Sequence, residues 1–136
     1  MATQIYRSIP GFRPSTPPVT SATIEDVLAA HPMVVIHFWA EWNGVDPPMD
    51  QSIREIQPDF HPSVYFVSCN IDAPENVDLC NRCNVVNIPF LAVFVGGEQR
   101  RGVMGLRSPD ELFSELEERL SDSHSKKKWW RFWECT

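Results

Sequence analysis

Cys80-Asn81-Arg82-Cys83 is the pairing in this 136-residue chain most suited to chemistry, because two side chains three residues apart on a helix share one face. A disulfide between them is geometrically conceivable, and thiol–disulfide exchange is the reaction such a pair would run. Their place in the chain argues against reactivity: they sit late in a helix, where the dipole disfavours a thiolate. Structural packing, an auxiliary redox switch and metal ligation all stay open, in that order. Zinc would need two further ligands. Cys69 and His61 are nearby in sequence, but there is no second close-spaced pair, so the sequence implies no metal and no cofactor.

Two other ionisable residues stand in unusual company. His37 interrupts the apolar run Met33–Ala40 and reads as a hydrogen-bonded core histidine, with pH sensing as the alternative. Asp46 precedes Pro47-Pro48 and reads as a helix cap. As a general base it has no evident nucleophile or partner beside it.

The elements that must position these residues follow from periodicity and punctuation. Residues 8–18 hold four prolines and read as an extended arm, which Tyr6 and Phe12 are placed to pin to the body. Thr23 caps a short helix that His31-Pro32 ends. Met33–Trp39 is apolar and β-branched, as expected of a strand covered on both faces. After an Asn43-Gly44 turn, Met49, Ile53 and Ile56 recur at helical spacing until Pro58. Val64–Cys69 forms a second strand and Glu75–Cys83 a helix. Phe90–Val95 and Gln99–Met104 form a hairpin around Gly96-Gly97. Ser108-Pro109-Asp110-Glu111 starts a last helix, with Leu112, Phe113, Leu116 and Leu120 facing inward. This order predicts an α/β protein, a central mixed sheet with helices on both faces.

Phe38-Trp39-Ala40-Glu41-Trp42 at the first strand's end, Asn70-Ile71-Asp72 after the second, Ile88-Pro89 before the third, and Gly97-Glu98 with Gly105 together resemble the thioredoxin family. The resemblance covers residues 19–120, leaving an arm (1–18) and a tail (121–136). It implies a thioredoxin-like fold, a cis Pro89 facing the active site, and a substrate groove along Trp42, Asn43, Gly44, Val45, Ile88 and Pro89. It also exposes a departure. Asn43 and Asp46 stand where the family has its nucleophilic and resolving cysteines, and neither forms a mixed disulfide. His37 stands where the family usually has a buried Asp. With no cysteine to serve, that position is free to drift. Cys80 falls at a small buried site of the family, and Cys83 at a half-exposed one.

The body, residues 1–122, carries 8 basic and 17 acidic residues, which argues against nucleic-acid binding. The tail holds three of the five tryptophans beside four positive charges. Lys127, Trp129, Trp130, Arg131 and Trp133 suit either docking on protein or contact with a membrane surface. No charged region followed by an apolar run opens the chain, and four cysteines do not suggest a disulfide framework, so a cytoplasmic protein is expected. The expected function is a redox-inactive, protein- or peptide-binding adaptor using the inherited groove. The alternatives are an oxidoreductase or redox sensor acting through Cys80 and Cys83, and a peripheral membrane protein held by its tail.

Overall fold

The computed structural model describes residues 6–121. Its elements are α1 (Ile24–Ala30), β1 (Met33–Trp39), α2 (Asp46–Phe60), β2 (Tyr65–Asn70), a 3-10 turn (Pro74–Asn76), α3 (Val77–Arg82), β3 (Phe90–Val95), β4 (Glu98–Met104) and α4 (Pro109–Ser121). The strands lie in the order β2-β1-β3-β4. β1 is parallel to β2 and antiparallel to β3, and β4 closes the sheet against β3.

β1 is buried along nearly its whole length because helices cover both faces. Val34, Ile36 and Phe38 pack with Ile24 and Leu28 of α1 and Leu79 of α3. On the opposite face, Val35 packs with Met49, Ile53 and Ile56 of α2 and with Leu112, Leu116 and Leu120 of α4. Phe113, expected to face inward, is only partly buried and packs ring against ring with Phe60. The alternation of strand side chains therefore decides which helix each β1 residue meets.

Local signals explain most boundaries. Gly96 and Gly97 both take positive φ, 59° and 79°, at the tight turn between β3 and β4. Ser108 and Glu111 form a reciprocal capping box: the Ser108 N–H donates to Glu111 at 3.0 Å, and the Glu111 N–H donates to the Ser108 hydroxyl at 3.3 Å. Two expectations need correction. The Thr23 hydroxyl makes no cap bond to α1 and accepts the Thr20 N–H at 2.9 Å. The helix after the turn runs past Pro58 to Phe60, and β2 begins one residue later than expected.

The arm is laid along the body by named contacts. Pro18 bridges Ser68 in parallel, extending the sheet beyond β2. The Ser15 N–H and hydroxyl both donate to Asp50, each at 3.0 Å. Phe12 meets Trp39 edge-on at 5.6 Å, and the Gly11 N–H donates to Glu41 at 2.7 Å. Phe12 thus pins the arm as its type suggested, with two carboxylates fastening it on either side. The 1–18 and 121–136 boundaries set at the ends of the body remain expectations. Lys127, Trp129, Trp130, Arg131, Trp133 and Cys135 lie outside the described residues.

Candidate functional site

The turn from Ala40 to Val45 carries the chain from the sheet into α2, and its centre is a buried polar cluster. Asp46 is fully buried, and one of its carboxylate oxygens lies 2.9 Å from Nε2 of His37, itself 1% exposed. The other oxygen accepts the Ala40 N–H at 3.0 Å and the Asn43 side-chain amide at 3.0 Å. Burying a carboxylate is costly unless its oxygens are hydrogen-bonded. Here three donors surround it. Among the described residues, none partners His37 Nδ1.

This overturns one expectation and fits another. Asp46 is not a cap: it is the first residue of α2, Val45 stands at the cap position, and no side chain caps the helix. Its carboxylate turns inward to the sheet instead of down onto the helix N–H groups. His37 is the hydrogen-bonded core histidine that its place in the apolar run suggested. It is hydrogen-bonded to the residue at the second family cysteine position, so these two departures from the family pattern are one physical unit. Asp46, for which the sequence offered no partner, has His37.

Beside the turn lies a groove of about 300 Å³. Trp42 and Ile88 line it, as expected, together with Ile71 after β2, Val77 and Cys80 of α3, and Val85 and Val86. Trp42 is 60% exposed, Val77 52% and Val86 71%, so three of the molecule's exposed large apolar side chains gather at one place. The Trp42 indole N–H donates to Asp72 at 2.8 Å, which holds the ring at the rim. The Ile88-Pro89 bond is cis. Asn43, Gly44, Val45 and Pro89, also expected in the groove, do not line it. Pro89 is buried, and Asn43 is engaged with Asp46.

Gly44 is covered from another direction. A Cβ there would sit 2.4 Å from the Tyr6 carbonyl oxygen and 2.6 Å from the Arg7 carbonyl carbon. The arm therefore passes directly over the turn, and only glycine leaves room for it. Composition predicted an extended arm and gave no hint of where it would lie.

The cysteines reverse their expected exposure. Cys83 is 1% exposed in the core, whereas Cys80 is half-buried and lines the groove. Burial pushes the Cys83 thiol up to about 11, against the opposing effect of Arg82. Burial also raises Cys69, and the neighbouring Cys80 adds to this through charge and a side-chain hydrogen bond. Cys80 is raised by burial, with its contact to Cys69 pulling the other way. Cys69, expected at the end of the second strand and weighed only as a metal ligand, thus belongs to this region as well. Its signal was its position at the end of β2, one residue before Asn70-Ile71-Asp72. Among the described residues, no three His, Cys, Asp or Glu side chains are grouped to hold a metal ion. Nor is any described helix long and apolar enough to cross a membrane.

A mixed four-stranded sheet covered on both faces, a turn leading from β1 into α2, and a cis-proline ahead of β3 define a thioredoxin-like α/β protein. The thioredoxin family model matches residues 15–118. The chain is 33% identical to the thioredoxin of Synechocystis over 107 residues, which is 78% of this chain and 98% of that one. It is 32% identical to the thioredoxin of Rickettsia bellii over 88 residues, covering 65% and 82% of the two chains. The crystal structure of mitochondrial thioredoxin 3 from Saccharomyces cerevisiae, in its oxidised form, superposes with a TM-score of 0.68 at 23% identity, covering 76% and 95%. The chain belongs to the thioredoxin family.

Proposed function

We propose that this chain is a protein- or peptide-binding member of the thioredoxin family whose turn has given up dithiol exchange and whose groove is kept for binding. The observation that carries this reading is the concentration of exposed apolar side chains, Trp42, Val77 and Val86, around one groove beside the cis Pro89. A monomer rarely leaves such side chains clustered without a partner to cover them. Asn43 and Asp46 supply no thiolate, and their side chains are committed to each other and to His37. The groove lining includes the amides of Asn81 and Asn87 and no carboxylate or amine. An extended, uncharged, apolar peptide suits it: side chains enter the groove while the amides meet the peptide backbone.

The test is selection of random heptapeptides displayed on phage against the full chain under reducing conditions. Selected peptides are then titrated against wild type and Trp42→Ala. Enrichment of apolar peptides that lose about tenfold or more in affinity for the variant is expected, since exposed tryptophans at a groove rim are common binding hot spots. No enrichment, or equal affinity for the variant, would sink the reading.

A further inference from the structure

At the pole of the molecule opposite the turn, a second apolar pocket opens where α2 and α4 both end. Its volume is about 240 Å³, and it is lined by Met33, Phe60, Val64 and Leu120 together with the carboxylates of Asp59 and Glu117. Val64 and Leu120 are buried, whereas Met33 and Phe60 are half-buried, so apolar surface stays open to solvent. The volume falls below the roughly 300–1,000 Å³ of small-molecule sites and suits one bulky side chain. Ser121, the last described residue, lies in the same wall.

The pocket is negative for two reasons. α2 and α4 close at Phe60 and Ser121, and the last carbonyls of a helix carry partial negative charge. α2 has no basic residue in its last turn to offset this. Asp59 and Glu117 add two full charges. Both are exposed, and among the described residues neither takes part in an ion pair. An apolar pocket ringed by uncompensated negative charge fits an occupant that is both cationic and aromatic.

The sequence supplies such a segment directly after the pocket wall. Asp122-Ser123-His124-Ser125 is followed by Lys126-Lys127-Lys128-Trp129-Trp130-Arg131-Phe132-Trp133. At no more than about 3.6 Å per residue, Trp130 stays within about 32 Å of Ser121. Met33, at the start of β1, lines this pocket, whereas the groove at Trp42 lies past the strand's other end, about 20 Å away along β1. A tether this short sets the segment at roughly millimolar effective concentration beside the nearer pocket.

We propose that Lys126–Trp133 docks on this pole of its own chain, with an indole of the Trp129-Trp130 pair in the pocket and the lysines beside Asp59 and Glu117. The tail is then an intramolecular clasp over the ends of α2 and α4, and it leaves the groove free for a partner. The clasp does not depend on the peptide-binding reading of the groove. Because its ion pairs are exposed, salt loosens it.

The test is NMR on the full chain under reducing conditions at low ionic strength. Nuclear Overhauser contacts between the indole protons of Trp129 or Trp130 and the methyl groups of Met33, Val64 or Leu120 are expected, unchanged on tenfold dilution. In the double variant Asp59→Lys with Glu117→Lys these contacts should vanish, and exchange of the same indole N–H with water should quicken at least threefold. Unshifted amide signals from the sheet check that the variant folds. If it does not, Asp59→Asn with Glu117→Gln takes its place, with the same loss expected. Absence of the contacts in wild type overturns the proposal, as does their survival in the variant. So do indole contacts to Val77 or Val86 in the groove, contacts that fade on dilution and so belong to a second copy, or contacts formed only when vesicles of anionic phospholipid are added.

Discussion

Asp46 and His37 form a buried hydrogen-bonded pair, 2.9 Å apart, at the place where the family's resolving cysteine and buried carboxylate would meet. Each residue explains the other. A carboxylate at Asp46 beneath the turn needs donors, and a second carboxylate at position 37 would face it with like charge.

Removing Asp46 leaves the Ala40 N–H, the Asn43 amide and His37 without their shared acceptor. Asp46→Ala should lose about 3 kcal/mol of stability, as expected when one partner of a buried pair is deleted. The midpoint of urea unfolding measures it. His37→Asp should also destabilise, because it sets two carboxyls face to face in a buried site. A variant as stable as wild type would rule this account out.

Gly44→Ala places a methyl group against the backbone of Tyr6 and Arg7, which has no side-chain freedom with which to yield. The arm must lift. Amide exchange in residues 6–15 should speed up at least tenfold while α2 and the sheet keep their protection, at a stability loss of about 1–2 kcal/mol. Unchanged exchange in the arm would show that the turn moves instead.

The core thiol of Cys83, pushed up to about 11 from an ordinary 9.0, makes stability fall in alkali. The unfolded chain ionises first, so the contribution is whole below pH 9 and is lost as pH rises to about 11. Cys83→Val should flatten that fall. Peptide-resolved alkylation gives an independent check: the rate at Cys83 should rise about tenfold per pH unit below its pKa and stay slower than at Cys80.

Ser108→Ala breaks the capping box at the start of α4 and should cost about 1 kcal/mol. Because Leu112, Leu116 and Leu120 stay packed against the sheet, the fold and groove should persist. A heteronuclear NMR spectrum with shifts confined to the helix start is the expected result, and widespread broadening would contradict it.

The sequence by itself determined the elements and their order, since these rest on local physics. Apolar runs define β1 and β3, Ser108 and Glu111 start α4, and paired glycines turn β3 into β4. The Phe38–Trp42 run with Ile88-Pro89 was enough to place the family. What only the tertiary structure decided is where side chains with two local options point. Asp46 suits a helix cap by type, yet it turns inward because His37, nine residues earlier, meets it across the sheet–helix junction. Cys80 and Cys83 look paired because they are close in sequence. Packing instead buries Cys83 and sets Cys80 at the groove. The arm's path over Gly44 is equally non-local, being set by Glu41, Asp50 and Trp39 together. Such contacts depend on which surfaces packing brings face to face, and neither periodicity nor motif spacing encodes that.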